Sequence, residues 1–129
     1  MVLDSSAVIA ILLAEPDASH FAGAVETAGT RLISSATWVE LGLVLLARKG
    51  EPGFVDLERF VQDAQIELVP VDEAQARLAV GAFRDFGKGR HPAALNFGDC
   101  FSYALSKSTG EPLLFKGRDF AQTDIVPVE

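Results

Sequence analysis

Four acidic residues, far apart in the chain, fall where short apolar runs end or helical stretches begin. Asp4 closes the run Met1-Val2-Leu3, and Glu40 follows Trp38-Val39 early in a helical stretch. Asp99 stands in Asn96-Phe97-Gly98-Asp99-Cys100, and Asp119 in Lys116-Gly117-Arg118-Asp119-Phe120. Two carboxylates about 4 Å apart repel by roughly 4 kcal/mol at an effective dielectric near 20. Three or four brought together must therefore take up protons or bind a cation. An all-oxygen set selects a hard metal, Mg²⁺ or Mn²⁺. Such an ion can activate water as a nucleophile while it neutralises charge on a phosphate.

The residues beside these acids suit a polyanion. Ser6 offers a hydroxyl next to Asp4, Lys88 and Arg90 precede Asp99 in a basic loop, and Lys116 and Arg118 precede Asp119. The chain is acidic overall, with a formal net charge of −7, yet it is locally basic around the expected cleft. Each acid also has an ordinary reading. Asp4 is a good N-cap, Asp99 suits the positive end of a helix, and Asp119 can cap a short turn. Four acids expected on one edge shift the balance, and for Asp4 ligation is preferred to capping. Ser102, near a full helical turn beyond Asp99, is placed to support the same site. Cys100 reads as a small core residue, since no histidine is placed to activate it.

The elements that position these residues follow from the apolar pattern. Nearly continuous short runs at Val2-Leu3, Arg31–Ser34, Ile66–Val71 and Pro112–Phe115 read as parallel strands covered on both faces. Ile125–Val128 reads as a fifth, at an edge because of Pro127. Helices are expected from Val8 to Leu13, Ala36 to Lys49 and Val55 to Ala64, the last after a turn at Pro52-Gly53. Asp72 caps Glu73 to Phe86, and Asn96 caps Phe97 to Ser108, which Gly110 closes. Strand–helix alternation predicts a three-layer α/β sandwich with a central, mainly parallel sheet of four or five strands. A length of 129 residues with 49% hydrophobic and 22% charged content fits one domain over residues 1–129 and excludes disorder. A single cysteine rules out an internal disulfide and fits a reducing cytoplasm. No apolar run is long enough to span a bilayer, so no membrane role is expected.

Val-Leu-Asp-Ser-Ser-Ala at the start, Trp38-Val39-Glu40, Leu95 to Cys100, and Leu113-Leu114-Phe115-Lys116-Gly117-Arg118-Asp119-Phe120 together resemble the PIN-domain ribonucleases. More narrowly they resemble the VapC-type toxins of toxin–antitoxin pairs, along nearly the whole chain. The resemblance implies a PIN-like fold and Mg²⁺-dependent endonucleolytic cleavage of RNA, with Asp4, Glu40, Asp99 and Asp119 as the acidic set. It further implies a homodimer, silenced by a cognate antitoxin whose C-terminal segment covers the cleft. Many such proteins carry an acid or amide where this chain has Gly117, so the fourth acid is Asp119 or Asp124, and one metal or two remains open. Two rival readings are an aspartate-based phosphatase or phosphoryl-transfer domain and a non-catalytic PIN-like binding module. The first would place a second aspartate at position 6, where this chain has Ser6.

Overall fold

The apolar runs are too short to hold a sheet by themselves, and they do so by lying side by side under a double cover of helices. The computed structural model describes residues Met1–Glu129. Four parallel strands, β1 (Val2–Leu3), β2 (Leu32–Ser34), β3 (Glu67–Val69) and β4 (Leu113–Leu114), lie in the order β3-β2-β1-β4. Val2 is in register with both Leu32 and Leu113. Each crossover carries two helices. These are α1 (Ser5–Leu12) and α2 (Ala18–Thr27), then α3 (Ser35–Lys49) and α4 (Glu51–Asp63), then α5 (Glu73–Phe86) and α6 (Phe97–Thr109).

Side-chain alternation along the strands divides the core into two layers. Leu3 and Leu114 pack with Ile33, Val8, Phe21, Leu41, Leu45 and Leu57 on one face. Val2 and Leu113 pack with Ala79, Ala82, Leu95, Tyr103, Leu105 and Phe120 on the other. Both residues of β1 are fully buried, as a central strand covered on two faces requires. This is the three-layer sandwich the alternation predicts.

Three expectations are corrected. Ile125–Val128 does not form a strand. It adds one parallel bridge, Leu113 to Pro127, with Leu113 N–H donating to Val126 O at 2.9 Å and Val128 N–H to Leu113 O at 3.0 Å. Pro127 has no N–H with which to extend the ladder. Pro52-Gly53 is not a turn ahead of α4 but lies in its first turn, where a proline loses no hydrogen bond. The break falls instead at Gly50, whose φ of 67° ends α3 and opens α4. Finally, the helical region after β1 is two helices, divided before Pro16, which disfavours helical backbone in the residue it follows.

Candidate active site

β1 is two residues long, so Asp4 follows it at the carboxyl edge of the sheet, where open α/β folds gather ligands. Its backbone is extended and it is the N-cap of α1. The capping role ranked second from sequence is therefore real. Ser6 N–H donates to Asp4 Oδ2 at 3.1 Å, and the Ser6 hydroxyl donates to the same oxygen at 2.6 Å. The Ser102 hydroxyl, reaching across from α6, donates to Oδ1 at 2.6 Å. Asp4 is only 3% exposed, yet an ionised carboxylate has about four acceptor positions and these three bonds leave one free. Capping and ligation are compatible in one carboxylate when the free lone pair belongs to the cap residue.

Behind Ser102 lies Thr37, whose hydroxyl is 3.4 Å from that of Ser102; both residues are buried. Thr37 was not anticipated. The only sequence signal for it is a hydroxyl residue in a helix turn whose neighbours face the core.

Asp99 is the third residue of α6 and half of a capping box. Its Oδ2 accepts from Asn96 N–H at 2.9 Å, while Asp99 N–H donates to Asn96 Oδ1 at 2.9 Å. Burial pushes its carboxyl up to about 6. The Asn96 hydrogen bond opposes that rise, and the charges of Asp4, Asp119 and Glu40 add to it. Glu40 lies in the second turn of α3, early in the helix as expected. Its carboxyl is also raised, first by burial and then by Asp4, against a hydrogen bond with Ser5. The Glu40 carboxylate rests against Gly98 in the first turn of α6. Asp119 is exposed, and although it stands at the start of a 3-10 turn (Phe120–Gln122) its side chain makes no capping bond.

The four acids thus share one edge and feel one another's charge. None of them is in a salt bridge. Their oxygens do not close into a ready-made cage of three ligands; a Mg²⁺ ion, which retains several waters, does not need one. Asp124 is placed differently. Tyr103 hydroxyl donates to its Oδ1 at 2.7 Å and Lys107 Nζ lies 2.8 Å from Oδ2. Burial alone would raise its carboxyl, but those two partners hold it below the usual range.

The basic candidates divide. Lys116 is not free to hold a phosphate, since its Nζ lies 2.6 Å from Glu15 Oε1 and 3.1 Å from Asp17 Oδ1. Its backbone N–H donates to Ser6 Oγ at 2.9 Å. The Ser6 hydroxyl is consequently occupied as both donor and acceptor, and its place is in holding Asp4 rather than substrate. Arg90 Nε donates to the Arg84 carbonyl at the end of α5. Lys88 and Arg118 are exposed and unpaired.

A parallel sheet carrying uncompensated acids along its carboxyl edge defines a class of α/β proteins with an acidic site at the strand ends, and comparison narrows it. The PIN domain family matches residues 1–126. Ribonuclease VapC30 of Mycobacterium tuberculosis is 52% identical, over 99% of this chain and 98% of that one. Ribonuclease VapC of Mycolicibacterium smegmatis is 50% identical, over 99% of each chain. Among solved structures, Mycobacterium tuberculosis VapC20, described as a Sarcin-Ricin loop cleaving toxin, superposes with a TM-score of 0.80 at 16% identity, covering 99% of this chain and 98% of that one. VapBC2 from Rickettsia felis, bound to a DNA fragment from its promoter, gives 0.78 at 14% identity, covering 99% and 96%. The chain belongs to the PIN-domain family, among its VapC members.

Proposed function

We propose that this chain is a divalent-metal-dependent endoribonuclease that acts in the cytoplasm as the toxin of a toxin–antitoxin pair. One observation carries the reading: Asp4, Glu40, Asp99 and Asp119 converge on the carboxyl edge of the sheet without a single cationic side chain to pair them. The donor set is all oxygen, and Asp99 and Glu40 are held in protonation-prone surroundings that a divalent cation would relieve. Mg²⁺ fits such a set, with Mn²⁺ as its nearest substitute. Asp4 and Asp99 would hold the ion, and Glu40 and Asp119 would complete its surroundings directly or through water. When bound, the ion supplies charge neutralisation for the phosphate and a water of lowered pKa.

The chain's own residues do the rest. Ser6 and Ser102 hold the Asp4 carboxylate in one orientation. The Asn96 box holds Asp99. Arg118 and Lys88, exposed and unpaired, are available to position the phosphodiester backbone, with Arg90 beside them. The relatives' name as ribonucleases supports RNA as substrate. Structural neighbours solved as toxin–antitoxin complexes support an antitoxin partner. Exposed apolar side chains, among them Val39, Leu43, Val80 and Phe97, support a homodimer.

The test is RNA cleavage by the purified chain with Mg²⁺, with EDTA, and in Asp99→Asn. Cleavage should require the ion and vanish in the variant. Cleavage that persists in EDTA overturns the metal reading. A small protein encoded beside this chain should co-purify with it and suppress the activity.

A further inference from the structure

Gly98 occupies the second position of α6, between Phe97 and the acid Asp99. Its backbone is helical and does not have a positive φ, so no conformational demand calls for glycine there. Alanine would be the better helix former. What an alanine would displace is the neighbour. A Cβ on Gly98 would stand 2.8 Å from Cδ of Glu40 and 2.9 Å from its Oε1, with Oε2 nearer still. Ordinary carbon–carbon contact needs about 3.5–4.0 Å. Glu40 comes from α3, whose backbone is anchored by the buried Thr37 and Leu41, so it is the Glu40 side chain that must give way. Its carboxylate also lies close to the Ser5 hydroxyl and feels the charge of Asp4.

We propose that Gly98 is a positioning residue for the acidic site: the missing side chain is the seat that lets the Glu40 carboxylate lie flat on α6, alongside Asp99 and Asp4. This rests on the reading of the four acids as a metal site. It adds that the α3 acid is placed by a vacancy on α6 rather than by a hydrogen-bonding partner there. With a methyl group in the seat, Glu40 must swing toward solvent and leave Asp4 and Asp99 to hold the ion with one oxygen donor fewer.

Four proteins decide the matter: wild type, Gly98→Ala, Glu40→Ala and the double variant. Metal-free melting temperatures form a thermodynamic cycle. In the Glu40→Ala background the clash is gone, and Gly98→Ala should raise the melting temperature by about 2 °C through helix propensity. In the wild-type background it should lower the melting temperature or leave it level. Calorimetric Mn²⁺ titration of Gly98→Ala should show binding weakened about tenfold or more, the range seen when a ligand loses its support. Equal stabilisation in both backgrounds, with Mn²⁺ affinity within about twofold of wild type, overturns the proposal. Should the wild type itself bind no Mn²⁺, the metal reading fails on its own. The melting cycle contains no metal and still decides whether Gly98 seats Glu40.

Discussion

The two edges of the central sheet are charged in opposite ways. At the edge where the strands begin, Arg31 precedes β2 and spends its guanidinium on three carbonyls: Val25 at 2.5 Å, Glu26 at 3.0 Å and Ala64 at 3.1 Å. These are the carbonyl ends of α2 and α4, where a cation is favoured. Beside it the Met1 amino group is held by Thr30 and by Glu111, 2.8 Å away. At the edge where the strands end, four acids meet the amide ends of α1 and α6 and the side of α3. Asp4 and Asp99 are hydrogen-bonded, and none of the four is paired with a cation. The first edge has its charges cancelled and contributes to stability. The second keeps its charges uncancelled, held in place by neutral donors, and that stored repulsion is what a metal ion can relieve.

This contrast makes predictions of graded size. Asp4→Asn removes the charge but keeps a capping side chain as good as aspartate. RNA cleavage should fall about a hundredfold or more, while the melting temperature moves by no more than about 3 °C. A large loss of stability would instead make Asp4 principally structural. At the other edge, Arg31→Met retains the apolar stem and removes the donors. Urea unfolding should show about 2 kcal/mol lost, with the activity of the folded fraction unchanged. Lost activity in that variant would erase the division between the edges.

The third prediction concerns pH. The Asp99 carboxyl rises from 3.8 to about 6 on folding. Between those values the native state holds a proton that the unfolded state has released, so the contribution to stability falls as pH rises through that window. Metal-free wild type should therefore lose melting temperature from pH 4 to pH 6 relative to Asp99→Asn, and saturating Mg²⁺ should abolish the difference. Parallel profiles would show that Asp99 is not strained. The smallest effect belongs to Asp124→Asn, an acid that already has its cation. It should cost less than about 1 kcal/mol and leave cleavage unchanged. A marked loss of cleavage there would move the fourth acid from Asp119 to Asp124.

Much of this arrangement is written in local signals. Asp72 and Gly87 bound α5 at the residues expected, and Asn96 and Gly110 bound α6 to within one residue, because caps and glycine stops act over three or four neighbours. Three of the carboxyl-edge acids are legible for the same reason: Asp4 follows a strand, Asp99 opens a helix and Asp119 precedes a 3-10 turn, whereas Glu40 lies a turn inside α3. Asp119 and Asp124 cannot be told apart locally, since what separates them is Tyr103 and Lys107 on α6. Lys116 reads as a phosphate contact in Lys-Gly-Arg-Asp, but Glu15 and Asp17 claim it from about a hundred residues away. Ser6 looks like a ligand-facing hydroxyl until Lys116 N–H is found on its oxygen. Pro52 suits a first helical turn as well as a loop, and only the packing of α4 on α3 decides between them.

The hydrogen bond from Ser102 to Asp4 joins residues 98 apart in the chain, and β1 lies between β2 and β4 in the sheet. β1 therefore depends on β4, far along the sequence, before it has neighbours on both sides. Until α6 has docked, Asp4 has neither its helix-borne hydroxyl nor Asp99 beside it. A chain in which α6 has not closed onto β1 therefore has the acids but not the site.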